Sequence, residues 1–364
     1  MMWPGSGRAP MPPSDSLLMS ALATAERNLR DVLSSALGHS DEAAALVVWD
    51  GQSELARALT AAYRRCLPQA RFLAFDDVPR EEVLAEFERL APGDLVVLIQ
   101  SGRFRLDAFR IRLELFKRSL KVVEHPHLER MSGQEGLTYF DALAYDPHYY
   151  RGLGAALKQR IDAAREAVID SGGARLVYSA GLEPAKLNVG DYTHLPNVGG
   201  QFPIGEVFTE SRDLAAVCGE VRIRFFGDTA FTVNRPDEPI TLVVEDGRVT
   251  AARDSTPEFE RVLDNIRADE GGVWLRELGL GMNRALTPAR VVSDIGTFER
   301  MCGVHLSLGA KHASYNKPTI KKRHARHHVD VFVDTHAVLF DGESVFAEGR
   351  WSVGPELPTP PPGD

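Results

Sequence analysis

A histidine and an aspartate, His328 and Asp330, stand two residues apart near the carboxyl end of the chain, in the valine-rich stretch 326–334. Apolar and polar residues alternate there, which predicts a β-strand. Side chains at positions i and i+2 of a strand share a face, so the imidazole and the carboxylate would point the same way. Together they could hold a divalent metal ion. A polar strand face that binds no metal is the simpler alternative.

Three further stretches each place one side chain of a metal-ligand type among apolar residues and glycines. Glu206 follows a segment rich in glycine and proline, which predicts a tight loop. Glu277 lies in an apolar stretch, where an unpaired charge is costly, so either Arg276, another cation or a metal must pair with it. His305 lies in an apolar strand bounded by glycines, where a hydrogen-bonded core histidine is the alternative to a ligand.

A basic cluster lies between His305 and His328 in an otherwise acidic chain. It is either a solvated loop or a means of binding a carboxylate or another anion of a substrate. Its members are Lys311, Lys317, Lys321, Lys322, Arg323 and Arg326.

The elements that must position these residues fall into two parts. Apolar runs alternate with helical patterns over residues 45–124, which predicts an α/β domain with a mainly parallel sheet. The spacing over 147–171 predicts one long helix, and the short strands and hairpins after it predict an α+β metal-binding domain. We expect disordered ends at 1–14 and 355–364, an α/β domain at 15–171 and a metal-binding domain at 172–354.

The composition argues against several classes of protein. The chain has 364 residues, enough for two domains, and its net charge of -9 argues against nucleic-acid binding. Its three cysteines are far apart and predict neither a disulfide framework nor a cysteine metal site. No apolar run has the length of a membrane span, and a signal-peptide pattern is absent, so we expect a cytoplasmic protein. The first half carries no glycine-rich dinucleotide fingerprint.

Together these stretches resemble the thermostable, aminopeptidase T-like metallo-aminopeptidases. That family has a Pro-x-Gly-Glu-Val-Phe loop, a Glu before Gly-x-Gly-x-Asn, a Gly-x-His-x-x-Leu-Gly strand and a His-x-Asp strand. This chain has all four motifs in that order over its second half, and resembles the family in its first half by architecture only. The residues at the matching positions are Glu206, Glu277, His305, His328 and Asp330.

The resemblance implies a dinuclear centre, in which these residues hold two divalent ions such as Zn, Co or Mn. Two adjacent ions suit hydrolysis. The resemblance therefore implies a homodimeric metallo-aminopeptidase that removes N-terminal residues from short peptides or amino-acid conjugates. From the basic cluster we expect a preference for substrates with a nearby negative group, bound by Lys311, Lys321, Lys322 and Arg323.

One departure from the family concerns catalysis. Family members have a transition-state tyrosine seven residues after the strand histidine, where this chain has His312, and Tyr315 is close but out of register. We expect His312 to replace the tyrosine as a hydrogen-bond donor to the oxyanion or as a proton shuttle. Glu206 and Tyr315 are the other catalytic candidates.

Two alternatives remain open. A related branch on the same fold opens pyridine-diol rings with one Fe(II) and O₂, and it also has a basic lead-in to its His-x-Asp strand. That branch has a second histidine where this chain has Glu277, although His305, His328 and Asp330 could still form a two-histidine, one-carboxylate triad. The other alternative is a metal-bound scaffold that has lost catalysis.

Overall fold

The computed structural model describes residues 13–104, 111–320, 323 and 325–355, with side chains from residue 17 onward. Most of the two predicted disordered ends therefore lies outside the described residues, as do Lys321 and Lys322. A π-helical turn, Val32–Ala36, extends the second helix, and the short 3₁₀ turns are Leu128–Arg130 and Leu214–Ala216. The α-helices within the described ranges are α1 (Pro13–Ser20), α2 (Leu22–Asp31), α3 (Glu54–Cys66), α4 (Arg80–Glu88), α5 (Ile111–Lys117), α6 (Gln134–Ala142), α7 (Pro147–Ala163), α8 (Pro257–Glu270) and α9 (Ile295–Phe298).

The strands belong to two sheets. Those of the first sheet are β1 (Ala45–Trp49), β2 (Arg71–Ala74), β3 (Leu95–Ile99), β4 (Lys121–His125) and β8 (Gly199–Gln201). Those of the second sheet are β5 (Ala167–Asp170), β6 (Arg175–Tyr178), β7 (Lys186–Asn188), β9 (Glu206–Glu210), β10 (Val217–Gly227), β11 (Val233–Asn234), β12 (Ile240–Glu245), β13 (Arg248–Arg253), β14 (Leu275–Gly281), β15 (Gly303–Leu308), β16 (Val329–Val333), β17 (Ala337–Phe340), β18 (Glu343–Ala347) and β19 (Arg350–Trp351).

The first sheet is parallel throughout, in the order β2–β1–β3–β4–β8. Its central strands are continuous apolar runs because helices cover both faces. Alternate residues of β1 belong to different cores: Val47 packs with the cluster that contains Leu59 of α3, and Val48 with the cluster that contains Phe87 of α4. The α/β part predicted from the sequence is therefore confirmed.

His125, the last residue of β4, is fully buried between two helices. The Tyr63 hydroxyl donates to Nε2 at 2.8 Å, Nδ1 donates to the Tyr139 oxygen at 2.7 Å, and the Tyr139 hydroxyl donates to the Phe202 carbonyl at 3.1 Å. This chain of bonds uses every donor, and a second ring proton, on Nε2, would break the bond that Tyr63 donates. Burial lowers the pKa of His125 to about 3, so the folded protein keeps this imidazole neutral.

The second sheet is antiparallel in every strand pair of the described residues. Its main path is β19–β18–β17–β5–β6–β10–β16–β15–β14–β9–β7, with β11 and β12 on β10 and β13 on β12. The α+β part predicted from the sequence is therefore confirmed, whereas the domain limits at residues 171 and 172 stay a prediction. The four stretches with ligand-type residues form, or adjoin, the neighbouring strands β16, β15, β14 and β9.

The prediction of one helix over 147–171 is wrong, because α7 ends at Ala163 and β5 begins at Ala167. Ala164 turns to an extended conformation with ψ 133°. The backbone N–H groups of Arg165 and Glu166 then donate to the Asp341 carboxylate at 3.0 and 2.9 Å instead of continuing the helix. The apolar spacing over 147–171 thus combined a helix with a short strand rich in β-branched residues.

No helix among the residues that the structure describes combines the length and the apolar composition that a membrane crossing requires.

Candidate metal centre

The strand register places four candidate ligands on one face of the second sheet. Glu206 pairs with Gly281, and Gly279, two residues away on β14, pairs with His305. His305 in turn pairs with Phe332 of β16. Paired residues of neighbouring strands share a face, and alternate residues along a strand return to it. The candidate ligands on this face are Glu206, Glu277, His305 and Asp330.

A bulge in β14 lies where Glu277 enters the site. Two residues of β14, Arg276 and Glu277, oppose the single residue Ser307 of β15. The Glu277 backbone N–H donates to the Ser307 hydroxyl at 3.0 Å. A bulge re-aims the side chains around it, so these two adjacent buried charges have different partners. Arg276 contacts Glu210, which excludes Arg276 as the predicted partner of Glu277.

Gly279 makes room for the His305 ring. A Cβ atom at Gly279 would lie 2.0 Å from His305 Cε1 and 2.1 Å from its Nε2, far inside van der Waals contact. The imidazole therefore lies directly against the backbone of the neighbouring strand, which requires a glycine at this position. The Gly-x-Gly pattern in the sequence thus serves the placement of a site residue.

Three side chains meet in one buried group. His305 Nε2 lies 3.2 Å from Glu206 Oε1 and 3.4 Å from Glu277 Oε1. One ligand-type atom from each of the three residues lies within 4.8 Å of the others, which is compatible with a single shared ion. Glu206 was predicted in a tight loop, but it is the first residue of β9. The ladder that β9 forms with β14 and β7 fixes its position.

His328 and Asp330 form a second pair of ligand-type side chains. His328 Nε2 lies 3.1 Å from Asp330 Oδ1, and His328 Nδ1 lies 3.1 Å from the Lys311 carbonyl, to which it can donate. Histidines that bind metals usually donate one ring N–H to a carbonyl or carboxylate and leave the other nitrogen free. The strand predicted over 326–334 is too long at both ends, because β16 covers Val329–Val333 and His328 lies just before it.

His312 lies between the two groups and presents a proton to them. Its Nε2 is 3.0 Å from Glu277 Oε2, and its ring centroid is 6.1 Å from that of His328. The His312 Nδ1 accepts the Ser314 backbone N–H at 3.1 Å, so the neutral ring carries its proton on Nε2. A protonated nitrogen donates a hydrogen bond and does not bind a metal. This geometry suits the hydrogen-bond donor role predicted for His312.

The charges of the cluster depend on one another. Burial disfavours the charged form of His305, but the Glu206 and Glu277 carboxylates raise the pKa of His305 well above its ordinary value. Burial likewise opposes the charged form of His328, but Asp330 raises the pKa of His328 to about 10. The imidazoles of His305 and His312 hold the pKa of Glu277 well below its ordinary value, against the effect of burial. Divalent ions would displace these protons and take over the neutralisation of the carboxylates.

The side chains fit metal ions in a second respect. His312 Nε2, Asp330 Oδ1 and His305 Nδ1 are buried and have no hydrogen-bonding partner among the described residues. The first two lie 3.0 and 3.1 Å from a neighbour, but without the direction of a hydrogen bond. Buried polar atoms without partners are costly. The unpartnered Asp330 oxygen lies beside His328 in a set of carboxylates and imidazoles and suits a divalent ion, whereas His312 Nε2 carries a proton and does not.

The loop that carries His312 is anchored by Arg276. The Arg276 guanidinium contacts Glu210 and donates to the carbonyls of Ala310 at 2.5 Å and Tyr315 at 3.1 Å. These bonds hold residues on both sides of His312. Arg276 is therefore a structural neighbour of the site that fixes the position of the loop.

Two residues that the sequence suggested for chemistry are used in the same anchor. Lys317 is buried and donates to the Ser211 and Arg212 carbonyls at 2.6 and 3.0 Å, so this member of the basic cluster is neither solvated nor available to a substrate anion. The Tyr315 hydroxyl lies 2.7 Å from the Pro184 carbonyl, to which it donates, and burial raises the pKa of Tyr315. This partner makes Tyr315 structural, and we do not propose a catalytic role for it.

Glu270, the last residue of α8, holds the two ends of the same loop together. Its carboxylate accepts the backbone N–H groups of Ala310, Arg326 and His327, each at 2.7 Å. Asp269 beside it contacts His327 Nε2 at 2.7 Å. The sequence contains one signal for this function. Acidic residues at a helix carboxyl terminus oppose the helix dipole, which indicates that they have other partners.

A cavity of about 490 Å³ opens onto the cluster. Glu277, His312 and His328 contribute to its lining, and Phe208 and Phe231 add aromatic surface. This volume lies within the range of small-molecule binding sites.

The basic cluster contributes less to this cavity than the sequence suggested. Lys311 is exposed and lines it, and no ion pair of its ammonium group occurs among the described residues. Arg326 also lines the cavity, but it contacts Asp269 at 3.3 Å. Arg323 is exposed, whereas Lys321 and Lys322 lie outside the described residues.

Sequence reasoning missed two other residues at the site. Arg300 is buried, and its Nη1 lies 3.2 Å from Glu206 Oε2 while it also contacts Glu299. Phe231 stands at the cavity within a sequence, Thr-Ala-Phe-Thr-Val, that is typical of an ordinary strand. Neither residue has a local sequence signal, because each owes its position to contacts made by the folded chain.

No protein-family model matches the chain, and no curated protein matches it. Its fold is similar to those of two solved structures. The 2,5-dihydroxypyridine dioxygenase from Pseudomonas putida KT2440 is 16% identical with a TM-score of 0.58, and 95% of this chain and 99% of that chain are covered. Wild-type AmpT from Thermus thermophilus is 14% identical with a TM-score of 0.56, and 92% of this chain and 100% of that chain are covered. The chain therefore shares its fold with a dioxygenase and with AmpT.

Proposed function

We propose that the protein is a metal-dependent hydrolase that removes N-terminal residues from short peptides or amino-acid conjugates. The observation that supports this proposal is a buried group of three ligand-type side chains beside the cavity, together with a pair on or next to the adjacent strand, which makes five candidate ligands. Four of them come from one face of four neighbouring strands, and the fifth directly precedes one of these strands. The five are Glu206, Glu277, His305, His328 and Asp330.

Glu277 favours a dinuclear site over a mononuclear one. Its Oε1 lies 3.4 Å from His305 Nε2, and its Oε2 is directed to the side of His312 and lies 3.0 Å from that ring. A carboxylate with its oxygens turned to two different groups can bridge two ions. Two divalent ions, such as Zn, Co or Mn, would polarise the amide carbonyl and generate the nucleophile from water.

Two residues assist the reaction in this proposal. His312 donates its Nε2 proton to the oxyanion that develops on the amide carbonyl, and it can carry a proton to the leaving amine. Glu206 lies between His305 Nε2 and the Arg300 guanidinium, at 3.2 Å from each, so its carboxylate is positioned to bind an ion. Both side chains are held by buried contacts before any substrate arrives, which suits preorganised catalysis.

Lys311 supports a preference for substrates with a nearby negative group. Its ammonium group lines the cavity and forms no ion pair among the described residues. Its backbone carbonyl accepts the hydrogen bond from His328 Nδ1. A free α-carboxylate would be attracted to it and oriented near the ions. We expect a higher kcat/KM for a dipeptide with a free acid than for its amide. Lys311→Ala should raise KM for the acid alone, whereas Lys186→Ala, outside the cavity lining, should change neither.

Metal content and hydrolysis test the main proposal together. We expect two Zn, Co or Mn ions per chain by elemental analysis, and release of free amino acid from short peptides. Replacement of Glu277 by Gln should remove one ion and abolish hydrolysis. A protein that takes up no divalent ion, or two ions without any peptide hydrolysis, contradicts the proposal.

A second candidate function is ring cleavage by an Fe(II) dioxygenase. The fold likeness to the 2,5-dihydroxypyridine dioxygenase favours it, and His305, His328 and Asp330 offer two imidazoles and one carboxylate. It predicts one oxygen-sensitive Fe per chain and O₂ consumption with a dihydroxypyridine. Glu277 counts against it, because the ring-cleaving branch that the sequence resembles has a second histidine at this position.

A further inference from the structure

Phe231 is an aromatic side chain that the fold leaves uncovered at the mouth of the candidate site. Its exposed fraction is 58%, the highest among the large apolar side chains of the described residues. It lines the same cavity as Glu277, His312 and His328. An exposed apolar ring is unremarkable on an open surface, but one inside a cavity beside reactive groups offers binding area to a small molecule.

The backbone of Phe231 is held in an unfavourable conformation. Its φ is +59°, a region that bulky residues rarely adopt. Its carbonyl accepts the Arg130 Nη1 proton at 3.0 Å and the Ile295 backbone N–H at 3.3 Å. The Asp228 carboxylate accepts the backbone N–H groups on either side of Phe231, at 2.9 and 3.0 Å. The surrounding structure therefore fixes this conformation, which is typical of residues retained for function.

Phe208 extends the apolar surface toward the metal centre. It lies on β9, two residues after Glu206, and its ring centroid is 6.3 Å from that of His312. It is half-buried and lines the cavity together with Phe231. The cavity therefore has an aromatic side chain close to His312 and another that is exposed, while Lys311 supplies positive charge to the same cavity.

We propose that Phe208 and Phe231 form a specificity surface, on which an aromatic or large apolar group of the substrate packs while the reacting bond lies at the metal centre. This inference rests on the hydrolase proposed above and adds its substrate class. Aromatic rings gain from offset or edge contacts with a substrate ring beyond the area they bury. A cavity of about 490 Å³ holds one such group and a short polar backbone.

The first test compares two hydroxamates by calorimetry with the zinc-loaded protein. L-phenylalanine hydroxamate should bind about tenfold more tightly than L-alanine hydroxamate, which is the effect of burying part of one ring. Phe231→Ala should remove this difference and leave the alanine probe unchanged, while Phe231→Leu keeps most of it. Leu195→Ala, an exposed apolar residue outside the cavity lining, should have no effect. Equal affinity of the wild type for both probes overturns the inference.

The second test does not need the metal. The metal-free protein should bind 3-phenylpropionate but not propionate in saturation-transfer NMR, and Phe231→Ala should abolish the signal of the phenyl ring. If this binding occurs and the loaded protein hydrolyses no peptide, the proposed function fails and the specificity surface stands. If peptides are hydrolysed but the phenyl ring receives no saturation, the specificity surface fails and the hydrolase stands.

A third measurement asks whether the ring is free to meet a ligand. Glycine adopts positive φ without strain, so Phe231→Gly should leave the Tm unchanged or raise it. A fall in the Tm larger than the added backbone freedom of glycine in the unfolded chain accounts for would show that the ring packs against the protein itself, and this result would overturn the inference.

Discussion

At the scale of single residues, His312 and His328, two of the histidines that line the cavity, differ in the backbone group to which Nδ1 bonds. His328 donates Nδ1–H to a carbonyl, which frees its Nε2 lone pair, whereas the Nδ1 of His312 accepts a backbone N–H, which places the proton on Nε2. The two imidazoles therefore carry their protons on different nitrogens, which prepares them for different functions. In our proposal His328 binds an ion and His312 donates a hydrogen bond.

This difference predicts opposite outcomes for two variants. His328→Ala should lose about one of two ions per chain, because it removes a ligand. His312→Ala should keep both ions and lose roughly 10²- to 10³-fold in kcat, the usual effect of one oxyanion donor. Elemental analysis and steady-state kinetics on the same preparations measure both quantities. Loss of an ion from His312→Ala would show that His312 is a ligand instead.

The sequence indicated which residues could bind metal, because each carboxylate or imidazole stood alone in an apolar stretch. It could not indicate the functions of Lys317 and Tyr315. Their partners lie more than a hundred positions away, since Lys317 bonds to the Ser211 carbonyl and Tyr315 to the Pro184 carbonyl. A basic stretch in the sequence gives no sign that one of its lysines is buried and bonded to backbone carbonyls from a distant part of the chain.

At the scale of elements, the strand β14 positions the site through one small residue and one bulge. Gly279→Ala should displace the His305 ring, because the added Cβ would lie 2.0 Å from it. We expect this variant to lose at least one ion, and its unfolding free energy should fall by roughly 1–3 kcal/mol through overpacking. Gly272→Ala is the matched control, since its Cβ would have only an ordinary contact of 3.8 Å with Arg248. Metal content and urea denaturation measure the two effects.

The bonds by which Glu270 holds the two ends of the His312 loop give a second prediction at this scale. Glu270→Gln replaces one acceptor oxygen with an amide group that faces backbone N–H donors, so at least one of three bonds is lost. The unfolding free energy should fall by about 1–3 kcal/mol. Asp264→Asn on the same helix removes only an exposed pair with Arg267 and should change it by less than about 0.5 kcal/mol. Equal effects of the two variants would contradict the anchoring function of Glu270.

Most strands and helices could be predicted from their periodicity, but their pairing could not. The alternation around Asp330 indicates a strand, and the glycines around His305 indicate its ends. Nothing in either stretch indicates that Gly279 pairs with His305, or that Arg276 and Glu277 together oppose Ser307. Register depends on the whole ladder, so the site became visible as one cluster only in the fold.

At the scale of the whole molecule, a buried hydrogen-bonded chain connects the first sheet to the segment that leads into the site. It runs from Tyr63 through His125 and Tyr139 to the Phe202 carbonyl, four residues before Glu206. The folded state requires the neutral form of His125, and its stability therefore depends on pH.

The pKa of His125 is about 3 in the folded protein and about 6.5 in an unfolded chain. Between these values the unfolded state binds more protons, so the stability falls as the pH drops below about 6.5. Because of this residue, the unfolding free energy should be about 3 kcal/mol lower at pH 4 than at pH 7. His125→Phe, although less stable at pH 7, should show a smaller loss between these pH values in chelator-treated protein. His194→Gln, a change at an exposed histidine, should lose as much stability between these pH values as the wild type. If His125→Phe also loses as much as the wild type, the prediction is contradicted.

The assembly of the molecule stays a prediction. We expect a homodimer in which the part of the chain with the parallel sheet restricts access to the site. Light scattering at micromolar concentration measures it, and a stable monomer would count against it.

The placement of ligands on one face of neighbouring strands has a consequence for how such a protein can evolve. The backbone ladder holds the strands, so an exchange of one ligand-type side chain for another at a ligand position alters the chemistry with little demand on folding. Single substitutions at ligand positions could therefore change the number of bound metal ions, or replace hydrolysis with oxidation, while the sheet stays the same. The same property makes this sheet a suitable scaffold for engineering new metal centres one strand at a time.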